Sequence, residues 1–209
     1  MSVITGDIIN SRDLDSNGYS QVLAELKREL SRLRSQYQAA SDVYRGDSFQ
    51  VALNQPWLGL RIAVLIRLKL KGNDYNVDAR QSISIASVNE LRKDVKLSTG
   101  KAFVFSGQAL DEMKSNALTF SSDSDVLNFH IPVAIRLLDV LLNSLTSAQS
   151  EALYCYLTNE NSTHKELALK LNKNRANVTK LLNSSQYLLV ADTLKYYESL
   201  VKRELDDDR

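Results

Sequence analysis

The sequence has little of the chemistry that disulfide and zinc proteins rely on: one cysteine and two histidines in 209 residues. Cys155 has no second cysteine to pair with, so an internal disulfide is excluded, and a Cys/His zinc site is excluded with it. There is no long apolar run. The most apolar stretch, residues 57–70, carries Arg61, Arg67 and Lys69 and is too short to cross a bilayer. The first dozen residues have neither a basic start nor an extended apolar segment, which argues against a secretory signal. These absences point to a cytoplasmic protein with no membrane partner. Excess charge is missing too: 26 basic residues against 25 acidic ones leave a net charge of +1, and bulk electrostatics therefore favour no polyanion. What is there, at 44% hydrophobic and 24% charged, is an ordinary globular composition with length for one domain or two small ones.

The balanced total conceals one local bias. Between residues 163 and 183 stand Lys165, Lys170, Lys173, Arg175 and Lys180 against the single Glu166. A solvated helix face explains such a run, and so does a surface for nucleic acid.

The chain opens on a β-type run, Ser2-Val-Ile-Thr-Gly, that reaches Asp7. Tyr19, Leu23, Leu26, Leu30, Leu33 and Tyr37 then alternate steps of four and three, the apolar stripe of one long helix. Residues 42–53 read as two strands around a tight Gly46-Asp47 turn. Pro56 marks a helix start, and residues 57–71 are apolar nearly all round until Gly72, which predicts a buried helix. Residues 79–86 alternate at period two, as a strand does. Residues 88–95 suggest a short helix, 102–105 a short apolar run, 107–114 another short helix and 118–120 a strand. The order β–α–β–β–α–β predicts an α+β fold of ferredoxin-like plan, with helices on one face of an antiparallel sheet. Ser121-Ser-Asp-Ser-Asp125 is the only low-complexity segment. From Ile131 onward the pattern is helical. The expected division is an N-terminal domain over residues 1–125 and an all-helical region over 126–209.

Within that region, residues 163–182 have helix-turn-helix spacing, in a unit expected over about 147–184. Thr163 and Glu166 form a capping box. Leu167 and Leu171 face inward, and Ala168 is small where a second helix crosses. Asn172 stands where the turn commonly has glycine, and asparagine tolerates the left-handed conformation. Val178 and Leu181 give the second helix its inner face. Asn174, Arg175, Asn177, Thr179 and Lys180 are left pointing outward with no acid among them, a surface that can place donors on base edges and phosphates of duplex DNA. Lys173 departs from the pattern, standing where many such motifs have an aliphatic residue. A plain helical hairpin is the alternative. The final helix carries a seam of Val190, Leu194, Tyr197 and Val201. That seam and the Tyr19–Tyr37 stripe predict a homodimer, unless each packs within its own chain.

At the other end, Asp7 closes the first strand and Asp47 sits in the hairpin turn. In the expected sheet these are neighbours, and paired carboxylates are what Mg²⁺ needs to hold a nucleoside triphosphate. The structural alternative is that Asp7 caps a loop through Asn10 and Ser11 while Asp47 is a turn residue.

Four segments together, Val3-Ile-Thr-Gly-Asp-Ile-Ile-Asn-Ser-Arg12, Tyr44-Arg-Gly-Asp-Ser-Phe-Gln50, Ser82-Ile-Ser-Ile-Ala86 and Phe105-Ser-Gly-Gln-Ala-Leu-Asp111, resemble the SatD family of small bacterial proteins. The resemblance runs over nearly the whole chain and implies no settled activity. More distantly, the first domain is similar to the palm of class III nucleotide cyclases and diguanylate cyclases. That likeness implies metal-binding aspartates at Asp7 and Asp47. Those cyclases also carry an asparagine and an arginine on a later helix, and Ser106-Gly-Gln-Ala-Leu-Asp111 offers neither. Arg12, Arg45 and Arg80 are candidate phosphate contacts or ordinary surface charges. Three functions stay open: a DNA-binding regulator whose palm serves as sensor or dimerisation platform, a Mg²⁺-dependent nucleotidyl cyclase or transferase, and a protein–protein adaptor.

Overall fold

The computed structural model describes residues 1–44, 46–75, 77–92 and 94–207, with Asp207 described by its backbone alone. The chain forms a mixed α+β fold. In order, the elements are β1 (Ser2–Ile8), α1 (Ser16–Tyr37), β2 (Ala40–Tyr44), β3 (Ser48–Leu53), α2 (Gly59–Lys71), β4 (Ala79–Ile85), α3 (Lys101–Asp111), β5 (Leu118–Ser122), α4 (Asp125–Ser144), α5 (Ser147–Thr158), α6 (His164–Lys170), α7 (Arg175–Ser184) and α8 (Tyr187–Asp207).

The five strands make one sheet in the order β2-β3-β1-β4-β5. β1 pairs antiparallel with both β3 and β4, β2 and β3 form an antiparallel hairpin, and β4 and β5 run parallel. β3 therefore lies between β2 and β1, and β1 between β3 and β4, so the chain interleaves two β–α–β crossovers. The hairpin turns at Gly46, whose φ of 87° is the left-handed conformation that glycine adopts without a Cβ penalty.

One face of the sheet, with Ile4, Phe49, Val51, Leu53, Ile83 and Ile85, packs on α1 and α2. Of the stripe on α1, Leu26, Leu30 and Leu33 are buried against the body of the chain together with Val22, which the stripe did not include, while Tyr19, Leu23 and Tyr37 are half-buried. α2 is buried nearly all round, as its composition predicts.

Four expectations need correction. The sheet is mixed rather than antiparallel throughout, since β5 runs parallel to β4, and helices cover both of its faces rather than one. α3 lies over the second face, where Ala102 packs with Val3 and Ala52, and Thr5 and Ser106 share a 2.8 Å hydrogen bond. The serines of β4 look solvent-facing in the alternating pattern, yet Ser82 and Ser84 are fully buried, and Ser84 donates to the Ala102 carbonyl at 2.6 Å. Small side chains let α3 sit close. Second, α3 is one helix through Gly107 rather than an apolar run followed by a helix. Third, the described part of 88–95 is not helical. Glu90 and Thr99 bridge there, Ser98 Oγ accepts from the Arg92 N–H, and only Val95–Leu97 makes a 3-10 turn. Fourth, α4 begins at Asp125 rather than Ile131. Ser124 caps it by accepting from the Leu127 N–H at 3.1 Å, so part of the low-complexity segment is the helix cap, and the helix continues through Pro132.

The helices after residue 125 share the sheet's core. Leu127, Ile131, Ile135 and Leu138 of α4, Leu153 and Leu157 of α5, and Val190, Leu194, Tyr197 and Val201 of α8 all belong to it. The α8 seam thus packs within its own chain. The central leucines of the α1 stripe and the whole α8 seam, the two features that predict a homodimer, are taken up within one chain.

Candidate nucleic-acid interface and carboxylate cavity

α5, α6 and α7 enclose a small core of their own, built from Ala152, Cys155, Leu167, Ala168, Val178 and Leu182. α5 serves both cores, since Leu153 and Leu157 on its other side join the main one. α6 begins with a full capping box, in which Thr163 accepts from the Glu166 N–H and the Glu166 carboxylate accepts from the Thr163 N–H at 2.7 Å. Those bonds hold the Glu166 carboxyl below its ordinary range. The turn passes through Asn172 with φ at 50°, and the Lys173 N–H then closes on the Ala168 carbonyl at 2.9 Å. Asparagine fills the left-handed position that glycine often takes, as the spacing predicts. Lys173 is accounted for by an ion pair with Glu151 at 2.6 Å, which ties the turn to α5.

The five residues expected to face outward do not form one uniform surface. Arg175, Asn177 and Lys180 are exposed. Asn174 is exposed but also caps α7, its side-chain oxygen accepting from the Asn177 N–H at 2.7 Å. Thr179 is half-buried and bonds to His164 Nδ1 at 2.9 Å, so it joins α7 to α6 rather than standing free. α7 contains no acidic residue, and Lys165 and Lys170 add exposed positive charge on α6.

The second site lies at the end of β1. Asp7, Asn10, Ser11, Arg12, Asp47 and Arg80 line one open cavity of about 650 Å³. The sheet brings them there: Asp7 stands opposite Ser48 on β3 and Arg80 on β4, which places it beside both the hairpin turn and the arginine. Arg80 grips Asp7 through two parallel bonds, Nε to Oδ1 at 3.0 Å and Nη2 to Oδ2 at 2.6 Å. That forked bond raises the guanidinium's affinity for its proton. Asp47 accepts a hydrogen bond from Ser11 Oγ. The two carboxylates share one cavity, as the sequence leads one to expect, but each is engaged by a side chain. Ser11, expected to be capped by Asp7, bonds to Asp47 instead. Arg12 is exposed at the cavity edge, and Arg45 lies outside the described residues. Among the described residues no group of three or more His, Cys, Asp or Glu could hold a metal ion. Asp13 also lines the cavity but forms no such group with Asp7 and Asp47, and Mg²⁺ held by those two carboxylates would compete with Arg80 for Asp7.

Sequence reasoning missed the Asp7–Arg80 fork, the Ser11–Asp47 bond and the His164–Thr179 bond. The first needs strand register, and the others need the turn of a loop and the crossing of two helices. No short-range pattern carries them. No protein-family model and no curated protein matches the chain. Among the described residues no helix is long and apolar enough to cross a membrane.

Proposed function

We infer that the chain is a DNA-binding regulatory protein that reads duplex DNA with α6 and α7 as a helix-turn-helix, and that its first half is a ferredoxin-like, cyclase-type palm of the SatD kind serving as sensor or platform. The observation that carries this is the surface of α7. Arg175, Asn177 and Lys180 are exposed together on a ten-residue helix with no acid, and the helix is held by a capped and closed turn. Arginine forks suit guanine edges and lysines suit phosphates. The interleaved crossovers of β1 to β4 support the palm reading. The test is fluorescence anisotropy with a broad pool of labelled duplexes at low salt. The wild type binds, and Arg175→Glu with Lys180→Glu loses binding while melting normally. Absence of wild-type binding across the pool refutes the reading.

A second reading is favoured by one observation, the convergence of Asp7 and Asp47 with two arginines on one cavity. Here the palm is a Mg²⁺-dependent nucleotide site. Binding of the cation to the folded state alone would raise the melting temperature. The double variant Asp7→Asn, Asp47→Asn would lose that response. No response of the wild type to millimolar Mg²⁺ or Mn²⁺ removes this reading.

A further inference from the structure

Helix α4 carries an apolar face that the other described residues leave open. Val126, Phe129, Val133, Leu137 and Val140 are between 42% and 78% exposed, while the opposite face of the helix is buried in the core. With about 100° of turn per residue the five fall in a stripe roughly 80° wide and about 21 Å long. No charged residue lies within the stripe, and His130 and Arg136 stand at its two edges.

The spacing of these residues has a second property. Counted from Val133, they sit seven and four positions before it and four and seven positions after it. The stripe therefore reads the same in both directions along the helix. Two copies of α4 packed antiparallel about a two-fold axis at Val133 bring Phe129 of one copy onto Leu137 of the other. Val126 then meets Val140, and Val133 meets itself. A two-fold interface requires this kind of self-complementarity, because the same patch is used on both sides.

We propose that α4 is the homodimer interface of this protein, with a second copy of the chain as the occupant of its apolar face. The two stripes and their rims would remove on the order of 1,000 Å² from water, the lower end of the range in which specific dimers hold. A bilayer surface is the other apolar environment for such a helix. Interfacial helices border their apolar face with several lysines and arginines. α4 has one arginine, Arg136, and begins with Asp125, so a membrane surface fits it poorly. The inference stands apart from the DNA-binding reading, since the face lies on a different helix and is uncharged.

The experiment is sedimentation equilibrium of the full chain over about 1–50 μM. The wild type should sediment at twice the 23.5 kDa of one chain. Phe129→Glu and Leu137→Lys should each raise the dissociation constant about a hundredfold or more, because each buries a charge against an apolar partner. Both changes in one chain should recover most of the lost association, since the new acid of each copy then faces the new base of the other. These positions are exposed in the single chain, so at concentrations well below the wild-type dissociation constant, where all are monomers, the melting curves of all three should match the wild type. Val133→Cys gives an independent reading with no added charge: on mild oxidation it should form a covalent dimer through the axis. A wild type that is monomeric at 50 μM overturns the proposal. So does a dimer that survives both single changes, or a double variant no tighter than either of them.

Discussion

Replacing Arg67 with methionine isolates the energy of the most buried charge cluster in the molecule. The Arg67 side chain is fully buried and lies between the sheet and α4. Its Nε and Nη2 donate to the two oxygens of Asp78 at 2.8 and 2.6 Å, Nη1 donates to Asp139 at 2.6 Å, and Nη2 also reaches Asn143 at 2.6 Å. Burial opposes the guanidinium charge, but the bonds and charges of Asp78 and Asp139 outweigh it, so the group holds its proton more tightly than a free arginine. Methionine keeps much of the volume and removes every one of these bonds. Asp78 retains Lys71 at 3.6 Å and the Ala79 N–H. Among the described residues Asp139 retains only the Ala117 N–H at 3.0 Å while remaining buried. Removing one partner of a buried ion pair costs about 3–5 kcal/mol. For a chain of this length that lowers the melting temperature by roughly 6–20 °C. Urea denaturation of the wild type, Arg67→Met, Asp139→Asn and the double variant closes a cycle that separates the stranded charge from lost packing. The double variant should recover part of the loss. A cost for Arg67→Met under about 1 kcal/mol would refute the reasoning, because it would mean that Asp139 is not stranded.

Asn174→Ala should cost about 1 kcal/mol through loss of the α7 cap, whereas Asn177→Ala should leave stability within about 0.5 kcal/mol; urea curves separate the cap from the contact residue. Gly100 has φ at 142°, and a Cβ there would lie 2.6 Å from the Val88 Cα. Gly100→Ala should therefore destabilise by at least about 1–3 kcal/mol, read as a lower urea midpoint. Burial pushes the Tyr197 phenol well above its ordinary value of 10.0, and burial with the Glu29 carboxylate does the same to Tyr154. Both phenols are neutral below that value, so their contribution to stability is full there and falls as pH rises through and beyond it. Tyrosinate absorbance at 295 nm should show both groups ionising only with unfolding, and early, reversible ionisation of all nine tyrosines would contradict this.

The elements most legible in the sequence were those whose pattern is local. The α1 stripe, the Gly46 hairpin, the apolar α2, the Thr163 capping box and the Asn172 turn each follow from spacing within a single short segment of the chain. Errors arose where burial is decided by a distant element. β4 alternates as a half-exposed strand does, but α3 covers its serine face, and nothing near Ser82 announces that helix. The start of α4 is hidden because its cap, Ser124, sits in the low-complexity run Ser121–Asp125, which carries no helical periodicity of its own. The α8 seam has the same spacing whether it packs on a partner or on its own core. In the candidate sites the convergence of Asp7 and Asp47 was legible from topology. That Arg80 is the partner of Asp7 is not legible there, because a cross-strand pair depends on register. Thr179 looked free on a helical wheel, and only the α6 crossing shows that His164 holds it.

The measurement that bears most directly on the DNA-binding reading is the slope of log affinity against log salt concentration for duplex DNA. Each phosphate contact made by a lysine or arginine contributes close to one unit of slope. The wild type should show a steep, linear fall. Arg175→Gln and Lys180→Gln should each reduce the slope by about one where the residue touches a phosphate, and Arg175→Gln should also relax sequence preference if it reads a base. Binding with a slope near zero, or a slope unchanged by both substitutions, would contradict a duplex-reading surface on α7.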